Sequence, residues 1–259
     1  MMFDIIDHKP QLNPLAHPIK LEGDFDHLLI LIHGYTGIPR DFNELGKLLN
    51  DKYNFSIIIP RLPGHGTDSK DFRKTGRDDW LRSIYDLIIN MEKDFDNIHL
   101  IGLSMGALIA LLSSIHFNIK SLLLISPALY SKNKNIIFSH ILKYVRPSID
   151  YNQEIDSSIK NPDLIDLYEN YNRYEYTAQL AELHKLMLEC RRKIKKVDTK
   201  IKIIHSKKDE LIPLKSAYKI YENVKSKDKD ITIFDDSPHV INYGPEKERL
   251  FKEAVEFFD

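Results

Sequence analysis

Ser104 stands in Gly102-Leu103-Ser104-Met105-Gly106, with an apolar run (IHLI, residues 98–101) before it and an apolar helical pattern (ALIALLSSI, residues 107–115) after it. A serine hydroxyl is a weak nucleophile until a base takes its proton, and it must stand clear of the chain to reach a substrate. A G-x-S-x-G pentapeptide between a strand and a helix meets the second need. The turn is sharp, its glycines let backbones pass closely, and it lifts the hydroxyl off the sheet. It also aims the Met105 N–H and the helix N-terminus at any oxyanion formed there. The chemistry implied is nucleophilic acyl transfer. The same pentapeptide without this setting would be an ordinary glycine-rich turn with a passive serine.

The base and its partner are sought later in the chain, in the order Ser, acid, His that this motif carries. The run IKII (201–204) is followed by His205-Ser206-Lys207-Lys208-Asp209-Glu210. Asp209 is the candidate acid, preferred to the neighbouring Glu210 because the shorter acid lies closer to the strand end. The run ITIF (231–234) is followed by Asp235-Asp236-Ser237-Pro238-His239. His239 is the candidate general base, and Asp235 and Asp236 shape its loop. His99 falls within a strand, His116 closes a helix, and His184 lies in a separate middle segment. His205 is assigned a surface or supporting role. The turn His33-Gly34-Tyr35 after the first strong strand supplies a second oxyanion donor, the Tyr35 N–H, beside that of Met105, with His33 structural within the turn.

These residues need a scaffold that brings distant loops together. Apolar runs at 28–32, 55–59, 98–101, 121–125, 201–204 and 231–234 read as strands buried on both faces, and an edge strand is expected near 17–21. Helical spacing is found at 41–49, 78–92, 105–115, 214–223 and 246–258, with Asp78 or Asp79 capping the second helix and Pro245 opening the last. This alternation predicts a doubly wound, mostly parallel α/β sheet flanked by helices. It breaks between 127 and 197, too long for an ordinary connection. The expected organisation is therefore a core of residues 1–126 and 198–259 with an inserted, mainly helical cap at 127–197. A helical pattern runs there from 164 to about 194. The tyrosines of the cap, Tyr130, Tyr144, Tyr151, Tyr168, Tyr171, Tyr174 and Tyr176, either pack it on the core or line a pocket.

With 37 Lys and Arg against 38 Asp and Glu, the chain has no general bias toward nucleic acid. Cys190 is its one cysteine, so no intrachain disulfide and no cysteine-based zinc site can form. The amino end, MMFDIIDHKPQLNP, has acids and proline where a secretory signal would be apolar, and no run approaches a membrane span. A cytoplasmic protein is expected. The dense basic run 191–196 reads as a solvated return from cap to core, or as an attraction to a membrane surface useful for a lipid ester.

Four segments, LIHGYTG (31–37), PRLPGHGTDSKDFRKTGRDDW (60–80), IGLSMGA (101–107) and HSKKDELIP (205–213) with SPHV (237–240), together resemble the bacterial carboxylesterase and monoacylglycerol lipase group of α/β-hydrolases. The resemblance implies the α/β-hydrolase fold, a Ser104–Asp209–His239 triad, backbone donors at Tyr35 and Met105, and hydrolysis of short- to medium-chain esters or monoacylglycerols. The expected partners are a small-molecule ester substrate and water, with no stable membrane insertion and the oligomeric state left open, and the chemistry calls for no metal or organic cofactor. Two positions depart from the family: Ala107 follows the elbow where a glycine is common, and Pro238 replaces an aromatic residue before the base. An amide or thioester hydrolase of the same fold, or a binding module with a relic triad, would share these motifs.

Overall fold

The computed structural model describes residues 9–150 and 161–259. The amino-terminal reading of residues 1–8 and Tyr151 lie outside this range. The apolar runs pair as strands: β1 Ile19–Leu21, β2 Asp24–Ile32, β3 Phe55–Ile59, β4 Asn97–Leu103, β5 Ile119–Ile125, β6 Ser148–Asp150, β7 Tyr174–Tyr176, β8 Lys200–Ser206 and β9 Lys229–Phe234. Seven of them form one sheet in the order β1-β3-β2-β4-β5-β8-β9. The short edge strand β1 runs antiparallel to β3, and all other pairs are parallel.

Helices cover both faces. They are α1 Asn43–Tyr53, α2 Ser69–Phe72, α3 Arg77–Met91, α4 Met105–His116, α5 Ser139–Leu142, α6 Pro162–Leu167, α7 Thr177–Lys193, α8 Lys215–Asn223 and α9 Lys247–Phe258. The strands are apolar at successive positions because each faces two cores. Leu28, Ile30 and Ile32 of β2 join Leu100, Leu122 and Leu124 in a core shared with α3, α4 and α8. Leu29 and Leu31 point the other way, to Leu123, Ile125 and the side chains of α1 and α9. Lys202, the polar position in the IKII run, is nearly buried between Asp230 at 2.7 Å and Glu253 at 2.8 Å. The central helix α4 has all of Met105–Ser113 buried, so its sequence shows little amphipathicity.

Two helix starts differ from expectation. Gly76 is the N-cap of α3, and Asp79 acts from the third helical position, its carboxylate accepting from the Gly76 N–H at 2.9 Å. Helix α9 starts two residues after Pro245, at Lys247.

Among the described residues, the regular structure between β5 and β8 is helical apart from the β6–β7 pair. The pattern expected to run from 164 to 194 is broken into α6, a π-helical turn at Tyr168–Asn172, the strand β7 and then α7. The Tyr-Glu-Tyr triplet of β7 has a β-favouring composition and pairs antiparallel with β6, Ser148 opposite Tyr176 and Asp150 opposite Tyr174. Tyr171 and Tyr176 are fully buried and pack on Phe72, at ring separations of 5.2 and 4.9 Å. These two tyrosines dock the insertion on the core. Cys190 is buried against Leu108, its thiol 3.5 Å from that carbonyl oxygen, and burial pushes the thiol pKa far up.

Candidate active site

The carboxyl ends of β4, β8 and β9 place three loops side by side. Ser104 ends the first, at φ 55°, ψ −109°, and is the residue before α4. A positive φ is strained for a serine, and its neighbours over-determine it. The Ser104 N–H donates to the Ile125 carbonyl at 2.9 Å, and its own carbonyl accepts from the Ala128 N–H at 3.3 Å. A Cβ on Gly106 would lie 2.0 Å from the Ile32 carbonyl oxygen, and one on Gly102 would lie 2.5 Å from Ala107 backbone atoms. Only glycine fits at either position. Ala107 itself is accommodated, fully buried at the first turn of α4.

The loops after β8 and β9 bring Asp209 and His239 to this serine. Asp209 Oδ2 lies 2.8 Å from His239 Nδ1, and His239 Nε2 lies 2.9 Å from Ser104 Oγ. These partners assign the tautomer: Nδ1–H donates to the carboxylate, and Nε2 accepts from the serine hydroxyl. The other carboxylate oxygen of Asp209 accepts from the N–H groups of Leu211 at 2.9 Å and Ile212 at 2.7 Å. Burial pushes the Asp209 carboxyl up, but the hydrogen bond and charge of His239, the Ile212 N–H and His205 outweigh it and hold the pKa below the usual value. Asp209 is 1% exposed, His239 6% and Ser104 8%, so the three sit in a site shielded from bulk water.

Several supporting contacts carried no sequence signal. Glu210 accepts from the His239 backbone N–H at 3.0 Å, while the Ser126 hydroxyl donates to the His239 carbonyl at 2.9 Å. His205 is fully buried rather than at the surface. Its Nε2–H donates to the Ile212 carbonyl at 3.2 Å and lies 3.5 Å from Asp209 Oδ2. The Lys132 ammonium donates to the Asp209 carbonyl at 2.5 Å, and its N–H donates to Leu211 at 2.9 Å. Glu246 gathers the Asp236 N–H and the Ser237 hydroxyl, both at 2.9 Å. Burial opposes its charge, but these donors and Arg249 bring its pKa down to about 2. Asp235 and Asp236 pair with Lys207 and Lys208 at the loop surface.

The β2 turn passes beside the serine: a Cβ on Gly34 would lie 3.3 Å from Ser104 Cβ. Tyr35 follows directly, its ring packed edge-on to Phe72 and Trp80 and its hydroxyl donating to the Tyr176 carbonyl at 3.3 Å. His33 is buried beneath. Its Nδ1–H donates to the Gly34 carbonyl at 3.0 Å and its Nε2 accepts from the Leu62 N–H at 3.1 Å, and burial lowers its pKa to about 4. It is thus fixed as a neutral strut for the turn. Met105 opens α4, where the first N–H groups have no acceptor within the helix.

An elbow serine, a histidine and an aspartate on a mostly parallel sheet define a serine hydrolase of the α/β-hydrolase fold. The family model described as "Serine aminopeptidase, S33" matches residues 23–246, and the chain belongs to that family. It is 24% identical over 245 residues to a carboxylesterase of Bacillus subtilis (strain 168), covering 93% of this chain and 96% of that one. It is 28% identical over 233 residues to a thermostable monoacylglycerol lipase of Bacillus sp. (strain H-257), covering 89% of each. Among solved structures, one from work on the metagenome-derived lipolytic enzymes LipS and LipT superposes with a TM-score of 0.83 at 20% identity, covering 95% of this chain and 98% of that one. That likeness carries the fold.

Proposed function

We propose that this enzyme hydrolyses carboxylic esters, short- to medium-chain acyl esters or monoacylglycerols, through an acyl-enzyme on Ser104. The observation that carries the reading is the hydrogen-bond chain Ser104–His239–Asp209, at 2.9 and 2.8 Å, on a strained elbow. The names of the two Bacillus relatives support esters as the substrate class. Ser104 Oγ attacks the carbonyl carbon as its proton passes to His239 Nε2. The oxyanion is held by the N–H groups of Tyr35 and Met105, each such donor being worth about 3 kcal/mol of transition-state stabilisation. Asp209 stabilises the imidazolium. The C–O bond to the alcohol breaks, and the imidazolium protonates the departing oxygen. A water molecule, deprotonated by the same histidine, then attacks the acyl carbon and returns Ser104 with release of the acid.

In this reading residues 127–197 form a cap over the carboxyl ends of the strands. The triad is blind to the acyl tail, so the cap selects it. The test is a panel of esters from acetyl to palmitoyl, with monoacylglycerols and an aminoacyl anilide. Hydrolysis of esters with a peak in chain length supports the proposal. Faster cleavage of the anilide would place the enzyme with amide substrates, in line with the family's description. Failure of a fluorophosphonate probe to label Ser104 would leave only a binding role.

A further inference from the structure

The Asp209 carboxylate is held on one oxygen by two backbone N–H groups and on the other by His239, and a second imidazole lies against it. His205 is the last residue but one of β8, four positions before the acid, and is fully buried. Its Nε2 faces two oxygens, the Ile212 carbonyl at 3.2 Å and Asp209 Oδ2 at 3.5 Å. Both oxygens only accept, so the proton of the neutral ring sits on Nε2. Nδ1 is then a bare acceptor, and it is buried with no hydrogen bond to the described residues. A buried polar atom without a partner costs stability, and a phenylalanine of similar outline would avoid that loss. What the imidazole adds over a phenylalanine is the Nε2–H.

That group bears on the acid in two ways. Ile212 donates its N–H to Asp209 Oδ1 at 2.7 Å and offers its carbonyl to His205. The ring therefore clamps the 209–212 turn to the strand before it, and with the turn the plane of the carboxylate. The Nε2–H also lies beside Oδ2, the oxygen that accepts from His239 Nδ1 at 2.8 Å. The clamp is kept neutral. Burial holds the His205 pKa below its ordinary value, Asp209 and the Ile212 carbonyl pull it up, and the charges of His239 and Lys132 oppose them. Glu210, the nearest further acid in the chain, is turned to the His239 N–H at 3.0 Å. A protonated His205 would set a second cation on the carboxylate just as His239 becomes an imidazolium. A neutral donor supports the acid without that conflict.

We infer that His205 is a positioning residue for Asp209: its Nε2–H, anchored on the Ile212 carbonyl, holds the carboxylate in the orientation that His239 needs when Ser104 gives up its proton. The inference rests on the Ser104–His239–Asp209 reading and not on which ester is the substrate. Two variants test it. His205→Phe keeps the bulk of the ring and removes both nitrogens. His205→Gln sets an amide N–H near the Nε2 position and cannot take up a proton. Each is followed by its melting curve and by the rate of fluorophosphonate labelling across pH, which needs the triad but no acyl pocket. His205→Phe should be labelled about tenfold more slowly than the native enzyme, since a small misplacement of the acid is felt in the transition state. Its kcat on an acetyl ester should fall by the same factor with KM unchanged, and it should melt no lower than the native protein. His205→Gln should return labelling and kcat to the native level, with the acid side of the pH profile unmoved. Loss of rate without loss of stability, reversed by an amide, is not what a packing role gives. The inference is overturned if the Phe variant is labelled at the native rate, if the Gln variant is as slow as the Phe variant, or if the lost rate comes with a matching loss of stability. Should the Phe variant fail to fold, His205→Leu takes its place, and unfolding of both would make His205 a structural bond of the loop and overturn the inference too. A native protein that is not labelled would overturn the triad reading itself, and this inference with it.

Discussion

The loop cluster at the carboxyl ends of β4, β8 and β9 and the insertion between β5 and β8 are built on opposite terms. In the loop cluster each side chain of the Ser104, His239, Asp209 set is fixed from more than one side. Asp209 has three donors on its two oxygens, and the backbone of His239 is held at its N–H and its carbonyl. In the insertion, Tyr171, Tyr176 and Cys190 anchor the rear, while the face of α5 and its flanking turns holds large apolar groups in solvent. Chemistry that depends on tenths of an ångström needs the first kind of construction. Selecting and reaching a substrate tolerates the second.

The contrast is broken most directly at Ser104. Ser104→Ala should lower ester turnover by about 10⁵-fold, with binding of substrate and the melting curve nearly unchanged, since one buried hydroxyl is lost and no cavity larger than an oxygen appears. Retention of a few per cent of activity by clean protein would refute the assignment. Next comes the acid. Asp209→Asn should cost about 10⁴-fold in kcat, because an amide presents the wrong partner to Nδ1–H. Glu210→Gln keeps an acceptor for the His239 N–H, so its loss should be about tenfold or less. A reversed ranking would mean that Glu210, not Asp209, serves the base.

Acid stability separates the regions by a different route. Burial lowers the pKa of His33 to about 4, of His99 to about 3 and of His65 well below the ordinary 6.5, with His33 adding to the effect on His65. All three belong to the core. Between pH 6.5 and about 4 the unfolded chain binds more protons than the folded one, so stability rises with pH across this window. The unfolding free energy should be level above pH 7 and fall below it, by up to about 1.4 kcal/mol per pH unit for each such histidine, and the melting temperature should fall with it. His99→Gln, far from the site and able to keep a bond to Ser121, should flatten the slope in thermal melts without touching turnover. An unchanged slope would show that His99 is protonated in the fold.

The smallest effects are expected in the insertion. Leu180→Phe, at a half-buried position on α7, should shorten the preferred acyl chain while acetyl esters are cleaved at the native rate. Each methylene excluded should lower kcat/KM by roughly fourfold, as about 0.8 kcal/mol implies. A chain-length profile unmoved by this and similar folded variants would remove selectivity from the insertion.

The sheet was legible because its strands are apolar on both faces, and the elbow because its glycines sit between such a strand and a buried helix. The edge strand Ile19–Leu21 gave a weaker signal, being three residues long with an exposed Lys20 at its centre. What escaped depends on contacts distant in sequence. Nothing near Glu210 foretells that it holds a backbone N–H 29 positions away. Burial of His205 follows from how the 205–213 loop folds back on its own strand. The β6–β7 pair stayed hidden because three-residue strands give no period to detect, and the tyrosines of the insertion split between anchoring and exposure by tertiary position alone.

Lys132 ties the segment that follows β5 to the loop that carries Asp209. It is the seventh residue after β5 ends at Ile125, yet its N–H and its ammonium are both tied to the loop that carries Asp209. At the other end, Arg191 donates to Leu129 and Cys190 sits on Leu108. The segment is thus fastened at both of its ends, and one of the two fastenings is shared with Asp209.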